Sequence, residues 1–74
     1  MERVRLTALI ESDGDGDVAL CPEVDIASEG DTVEAARANL TEALELFLEA
    51  ASPGEVAHRL RRDVFVTSVE VSLG

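Results

Sequence analysis

Apolar positions along the chain change their period several times, and each change marks an element. From Arg3 to Ser12 they alternate, with Val4, Leu6, Ala8 and Ile10 on one face and Arg3, Arg5, Thr7, Leu9 and Glu11 on the other. This is the period of a β-strand. "DGDG" at 13–16 is turn chemistry, since Asp bonds its own downstream backbone and Gly supplies positive φ. "DVALC" predicts a second strand, closed by Pro22, which has no N–H to give a sheet. "VDIAS" predicts a third, ended by "EGD".

From Asp31 to Ala51 the period lengthens. Ala36, Leu40, Ala43, Leu44, Phe47, Leu48 and Ala51 fall on one face of a helix, with Glu34, Glu42, Glu45 and Glu49 largely off it. Asp31 followed by Glu34 forms a capping-box pattern, with Thr32 as the competing cap. "SPGE" breaks this helix, and Ser52 with Pro53 opens a short second one through "GEVAHRLRR". "DVFVTSVEVSL" alternates again, with Phe65, Thr67, Val69, Val71 and Leu73 on one face, and predicts a fourth strand. The expected fold is a single α+β domain over 1–74, ordered β-β-β-α-(short α)-β. It has two layers, a mostly antiparallel sheet with helix on one face.

Length and composition narrow what such a domain does. At 74 residues the core is small, and Cys21 is the only cysteine, so no internal disulfide reinforces it. A homo-oligomer, dimer or tetramer, or another protein is the expected way to enlarge it. The alternating last strand has apolar residues on both faces, Val64 and Val66 opposite Phe65, and wants covering. One thiol and no apolar leader fit a cytoplasmic setting, and no apolar run is long enough for a membrane span. The formal charge of −10, from 16 acidic and 6 basic residues, opposes direct nucleic-acid binding by this chain alone and suits a basic partner. It also suits a salty cytoplasm. Aromatics at 3% argue against base-stacking surfaces.

Three groups invite a chemical reading. Asp13, Asp15 and Asp17 resemble the start of a calcium loop, but the position-6 glycine is Val18 and the position-12 glutamate is Val24, so a hairpin turn is expected. Cys21 alternates within a strand and is expected to be structural. With His58 it would supply two ligands where zinc wants three or four. His58, Arg59, Arg61 and Arg62 form the one basic cluster, read as cations at a helix C-terminus, with a phosphate patch as the rival. Neither face of the first strand is acidic enough for two-metal nuclease chemistry. No catalytic residue, metal ligand or cofactor site is expected.

The run "SDGDGDVALCPEVDIASEGDTVEAARANLTEALELFLE" resembles the N-terminal domain of HicB-type antitoxins. The matching positions are Asp13, Gly14, Asp15, Gly16, Ala19, Pro22, Glu23, Ser28, Gly30, Asp31, Thr32, Glu34, Ala35 and the Glu-Leu-Phe-Leu-Glu end of the helix. Val18 stands near the place of the family's usual aromatic, and "PEVDIAS" lacks its Pro-Gly. The resemblance implies a partial ribonuclease-H-like fold without nuclease residues. It also implies a module that masks a small basic, mRNA-cleaving toxin of the HicA type. It does not extend to a DNA-binding domain, so operator binding by this chain is not expected. The expected partner-binding residues are Glu23, Asp25 and Glu29. They follow a stiffening Pro22, and their carboxylates mimic the phosphates a ribonuclease expects. The rivals are a solo oligomeric domain without a toxin and a metal-dependent nuclease.

Overall fold

The computed structural model of the chain describes residues 3–74. Three strands come first, β1 Leu9–Ser12, β2 Asp17–Cys21 and β3 Ile26–Gly30, in spatial order β1-β2-β3 with both pairings antiparallel. The helices α1, Val33–Ala50, and α2, Pro53–Leu60, follow. The domain is α+β, with α1 packed on one face of the sheet, mostly over β3 and β2.

Local chemistry sets the turns and caps. The β1–β2 connection pairs Ser12 with Asp17, and the Asp13 carboxylate accepts the Asp15 N–H at 3.0 Å. Gly14 at φ 93° and Gly16 at φ 147° hold the left-handed conformations this turn needs. The calcium-like run is therefore a hairpin turn. At α1 the cap is Thr32, whose hydroxyl accepts the Ala35 N–H at 3.0 Å. The Asp31–Glu34 capping box does not form there, because the extended cap position falls at Thr32 with φ −136° and ψ 164°. Ser52 caps α2 by accepting the Glu55 N–H at 3.2 Å, as expected.

The first and third strands differ from their expected bounds. Leu9 pairs with Leu20, and the ladder stops there, two residue pairs before the one in which Pro22 would stand opposite Thr7. Pro22 has no N–H and starts a turn, so residues 3–8 have no strand beside them. The third strand begins at Ile26 because Asp25 sits at φ 56°, a conformation that ends a strand and that Asp tolerates.

The fourth strand is not formed within the chain. Residues 62–74 carry no helix or sheet pairing, and Phe65 is 85% and Leu73 101% exposed. The alternation is a strand pattern, but a strand exists only where another edge accepts its hydrogen bonds.

The core is small. Ala19, Cys21, Val24, Ala36 and Leu40 are buried, with Leu6, Ile10, Ile26, Leu44 and Phe47 packed against them. The helix stripe is the expected one, though it is buried at Ala36 and Leu40 and only half-buried at Ala43, Leu44, Phe47 and Leu48. Gly30 fits the β3–α1 corner because a Cβ there would lie 2.4 Å from the Ala36 nitrogen. The Asn39 amide donates to the Glu29 carbonyl at 2.7 Å and closes the same corner. Among the described residues no helix is long and apolar enough to cross a membrane.

Candidate functional site

The strand alternation that turns Ile10, Ala19 and Cys21 toward α1 turns Leu9, Glu11, Val18, Leu20, Ala27 and Glu29 to the opposite face. Among the described residues no helix covers that face. Leu9 opposes Leu20, which opposes Ala27, and Val18 lies between Glu11 and Glu29. The result is an apolar row bordered by two carboxylates, with a hollow of about 250 Å³ lined by Leu9, Glu11, Val18, Leu20 and Ala27. Its large side chains are more than a third exposed, Leu9 and Val18 at 37% and Leu20 at 38%. Such a patch, apolar at the centre and charged at its border, has the composition of a protein-contact surface. The signal was present in the sequence as apolar residues on both parities of "DVALC" and as Leu9 on the otherwise polar face of strand one.

The three acids expected at a partner surface do not lie together. Glu23 turns inward. Its carboxylate accepts the Thr7 N–H at 3.0 and 3.2 Å, the Thr7 hydroxyl at 2.7 Å and the Cys21 thiol at 3.4 Å. Partial burial pushes its carboxyl up, but the bonds from Thr7, its own backbone and Cys21 outweigh that and leave it below its ordinary value. Asp25 sits in the β2–β3 turn and pairs with Arg62 at 3.2 Å, both side chains exposed. Glu29 lies at the opposite end of β3, where Asp13, Asp15, Asp17 and Asp31 line one acidic hollow with it, about 170 Å³ in volume. Ser12 donates its hydroxyl to Asp17 in the same region.

Cys21 is buried among core residues and keeps its thiol. Burial first, then the hydrogen bond to Glu23, pushes its pKa above the ordinary thiol value. A raised pKa is the reverse of what a nucleophilic cysteine needs. Its polar partner is Glu23, while His58 is exposed on α2.

Half of the basic cluster is built into the fold. Arg59 donates to the Val24 carbonyl at 3.0 Å, approaches Glu55 at 3.6 Å and lies 5.8 Å from the Phe47 ring centre. With Arg62 on Asp25, it clips α2 onto the β2–β3 turn. His58 and Arg61 are exposed. Sequence reasoning found this cluster but not its counterpart, because the turn it grips is more than thirty residues away.

The chain matches no family model, no curated protein and no solved structure.

Proposed function

We propose that the chain is an antitoxin-like, non-enzymatic module that binds and masks a small basic mRNA-cleaving toxin of the HicA type. The observation that carries this reading is the uncovered sheet face, an apolar row of Leu9, Leu20 and Ala27 beside Glu11 and Glu29. Apolar area supplies affinity, and the carboxylates, backed by a net charge of −10, steer a basic protein to it. Within the expected trio, Glu29 belongs to this face directly. Asp25 presents its charge beside Arg62 and is the second contact. Glu23 acts by holding the segment before β1 against the turn.

Co-expression with a small basic protein encoded beside this chain, or with a HicA-type toxin where no such neighbour exists, tests the reading. The two are expected to co-purify, and the complex is expected to leave RNA intact where the partner alone degrades it. Leu20→Glu is expected to abolish the complex, and the Asp25→Asn, Glu29→Gln pair to weaken it and flatten its salt dependence. A partner that neither binds nor is inhibited would overturn the proposal. RNA turnover by this chain alone, dependent on Mg²⁺ and abolished by a chelator, would favour the nuclease instead.

A second reading, an oligomeric domain without a toxin, draws on the unburied C-terminal segment. It predicts stable self-association and no basic partner.

A further inference from the structure

The chain exposes far more surface than its mass warrants. A compact monomer of 7.9 kDa has an accessible surface of about 4,400 Å², whereas this one has 6139 Å². Its radius of gyration is 14.5 Å, against about 11 Å for a compact chain of this length, and it measures 48 × 28 × 17 Å. The excess has a visible source. Beyond α2 the chain stands off the body, with Phe65, Val66, Val69, Val71 and Leu73 between 64% and 101% exposed.

A matching vacancy lies elsewhere in the same chain. The C-terminal half of α1 projects over residues that no strand flanks. Between them runs a groove of about 430 Å³, lined by Arg3, Val4, Leu6, Thr41, Leu44, Glu45 and Leu48. Beside it, β1 is an edge of the sheet, and its backbone groups on that side have no ladder partner. The tail therefore lacks an edge and a cover, and the groove lacks a strand and an apolar filling.

We propose that residues 64–73 are a strand given to a second copy of this chain. In a two-fold dimer each tail runs along the 3–12 segment of the other copy and seats Phe65, Val69 and Val71 over its Leu6, Leu44 and Leu48. Three observations favour a second copy over the chain's own groove. No glycine or proline occurs from Glu55 to Leu73, and Asp63 is the one residue with turn chemistry in the three-residue connection Arg61, Arg62 and Asp63, which leaves little chain in which to turn back. Arg62 pairs with Asp25 at 3.2 Å and ties the start of the tail to the β2–β3 turn. A short, pinned connection of this kind favours exchange between copies over folding back. Each exchange is reciprocal, so one two-fold contact covers both tails and both grooves. The excess of 6139 Å² over the compact value, on the order of 1,700 Å² per chain, is the share each partner contributes to a large homodimer interface.

The inference is independent of the antitoxin reading, since the protein alone tests it. Sedimentation equilibrium of the full chain is expected to give twice 7.9 kDa at micromolar concentration. Phe65→Ser combined with Val69→Ser, at positions exposed in the single chain, is expected to return the mass to 7.9 kDa with the helical circular dichroism kept. In an equal mixture of ¹³C-labelled and unlabelled chains, refolded together, isotope-filtered spectra are expected to connect the Val69 and Val71 methyls of one chain to Leu44 and Leu48 of the other. A monomeric wild type overturns the proposal. So does a dimer that survives the double substitution, or one whose tail contacts lie only within a chain or away from the groove.

Discussion

The Glu23 carboxylate holds Thr7 by both its backbone N–H and its hydroxyl, with the shortest contact, 2.7 Å, to the hydroxyl. Sixteen positions separate the two residues, and no ladder joins the segments they belong to. β1 begins two residues after Thr7 and stops pairing because Pro22 follows β2. The carboxylate thus substitutes for the strand pairing that Pro22 prevents and keeps Leu6 against the core.

This places Glu23 among the stabilising residues. Hydrogen bonds to a charged group contribute about 1.5–3 kcal/mol, reduced here by partial exposure, so Glu23→Ala is expected to lower stability by about 2 kcal/mol. Thr7→Val removes the hydroxyl bond alone and is expected to lower it by about 1 kcal/mol. Urea unfolding of both variants and their double mutant measures the coupling. The depressed carboxyl value makes the contribution pH-dependent. It is fully present above the unfolded-state value of about 4.3 and is lost as pH falls through the lower folded value. Wild type and Glu23→Gln are therefore expected to converge in stability in acid, which a pH series of unfolding midpoints checks.

Cys21 is fully buried and its pKa is raised, so the native thiol is expected to resist a disulfide reagent at neutral pH. Modification should proceed at the rate of opening and become rapid in denaturant. The same raised value gives a stability term that is full below the unfolded pKa, about 8.5, and is lost as pH rises through the folded one. Labelling followed by mass spectrometry across a urea series reads the first effect directly. Equal rates in native and denatured protein would place the thiol at the surface.

Gly30→Ala is expected to be among the most damaging single changes. Its Cβ would fall 2.4 Å from the Ala36 nitrogen and 2.7 Å from the Ala35 carbonyl carbon, both backbone atoms that cannot swing aside. Forced overpacking of this kind lowers stability by about 1–3 kcal/mol or more. Gly54→Ala, where nothing lies within 4 Å, is the control and is expected to change little. Thermal unfolding of the pair distinguishes a crowded corner from a general loss of glycine.

The two candidate caps of α1 separate cleanly. Thr32→Ala removes the acceptor of the Ala35 N–H and is expected to lower stability by about 1 kcal/mol. Asp31→Ala leaves the cap in place and is expected to change it by a few tenths at most, through the helix dipole alone. Unfolding midpoints in the opposite order would return the cap to Asp31.

What the sequence determined by itself is local in origin. The Asp-Gly turn, the stripe from Ala36 to Ala51, the Ser52–Pro53 start of α2 and the inward run of Ile10, Ala19 and Cys21 all follow from neighbours a few residues apart. The turn, the caps and the helices close their hydrogen bonds within a few residues, and the inward run needs only the hairpins between neighbouring strands, so composition and period suffice to place them. The tertiary structure decided whatever depends on a distant partner. Glu23 reads in sequence as an exposed acid after a proline, and only the approach of Thr7 makes it internal. Arg59 and Arg62 read as a basic cluster, and only the packing of α2 on the β2–β3 turn gives them Val24 and Asp25. The alternation from Val64 to Leu73 is the strongest strand pattern in the second half of the chain, yet no strand forms there. A helix satisfies its backbone within its own segment, whereas a strand depends on an edge supplied from elsewhere.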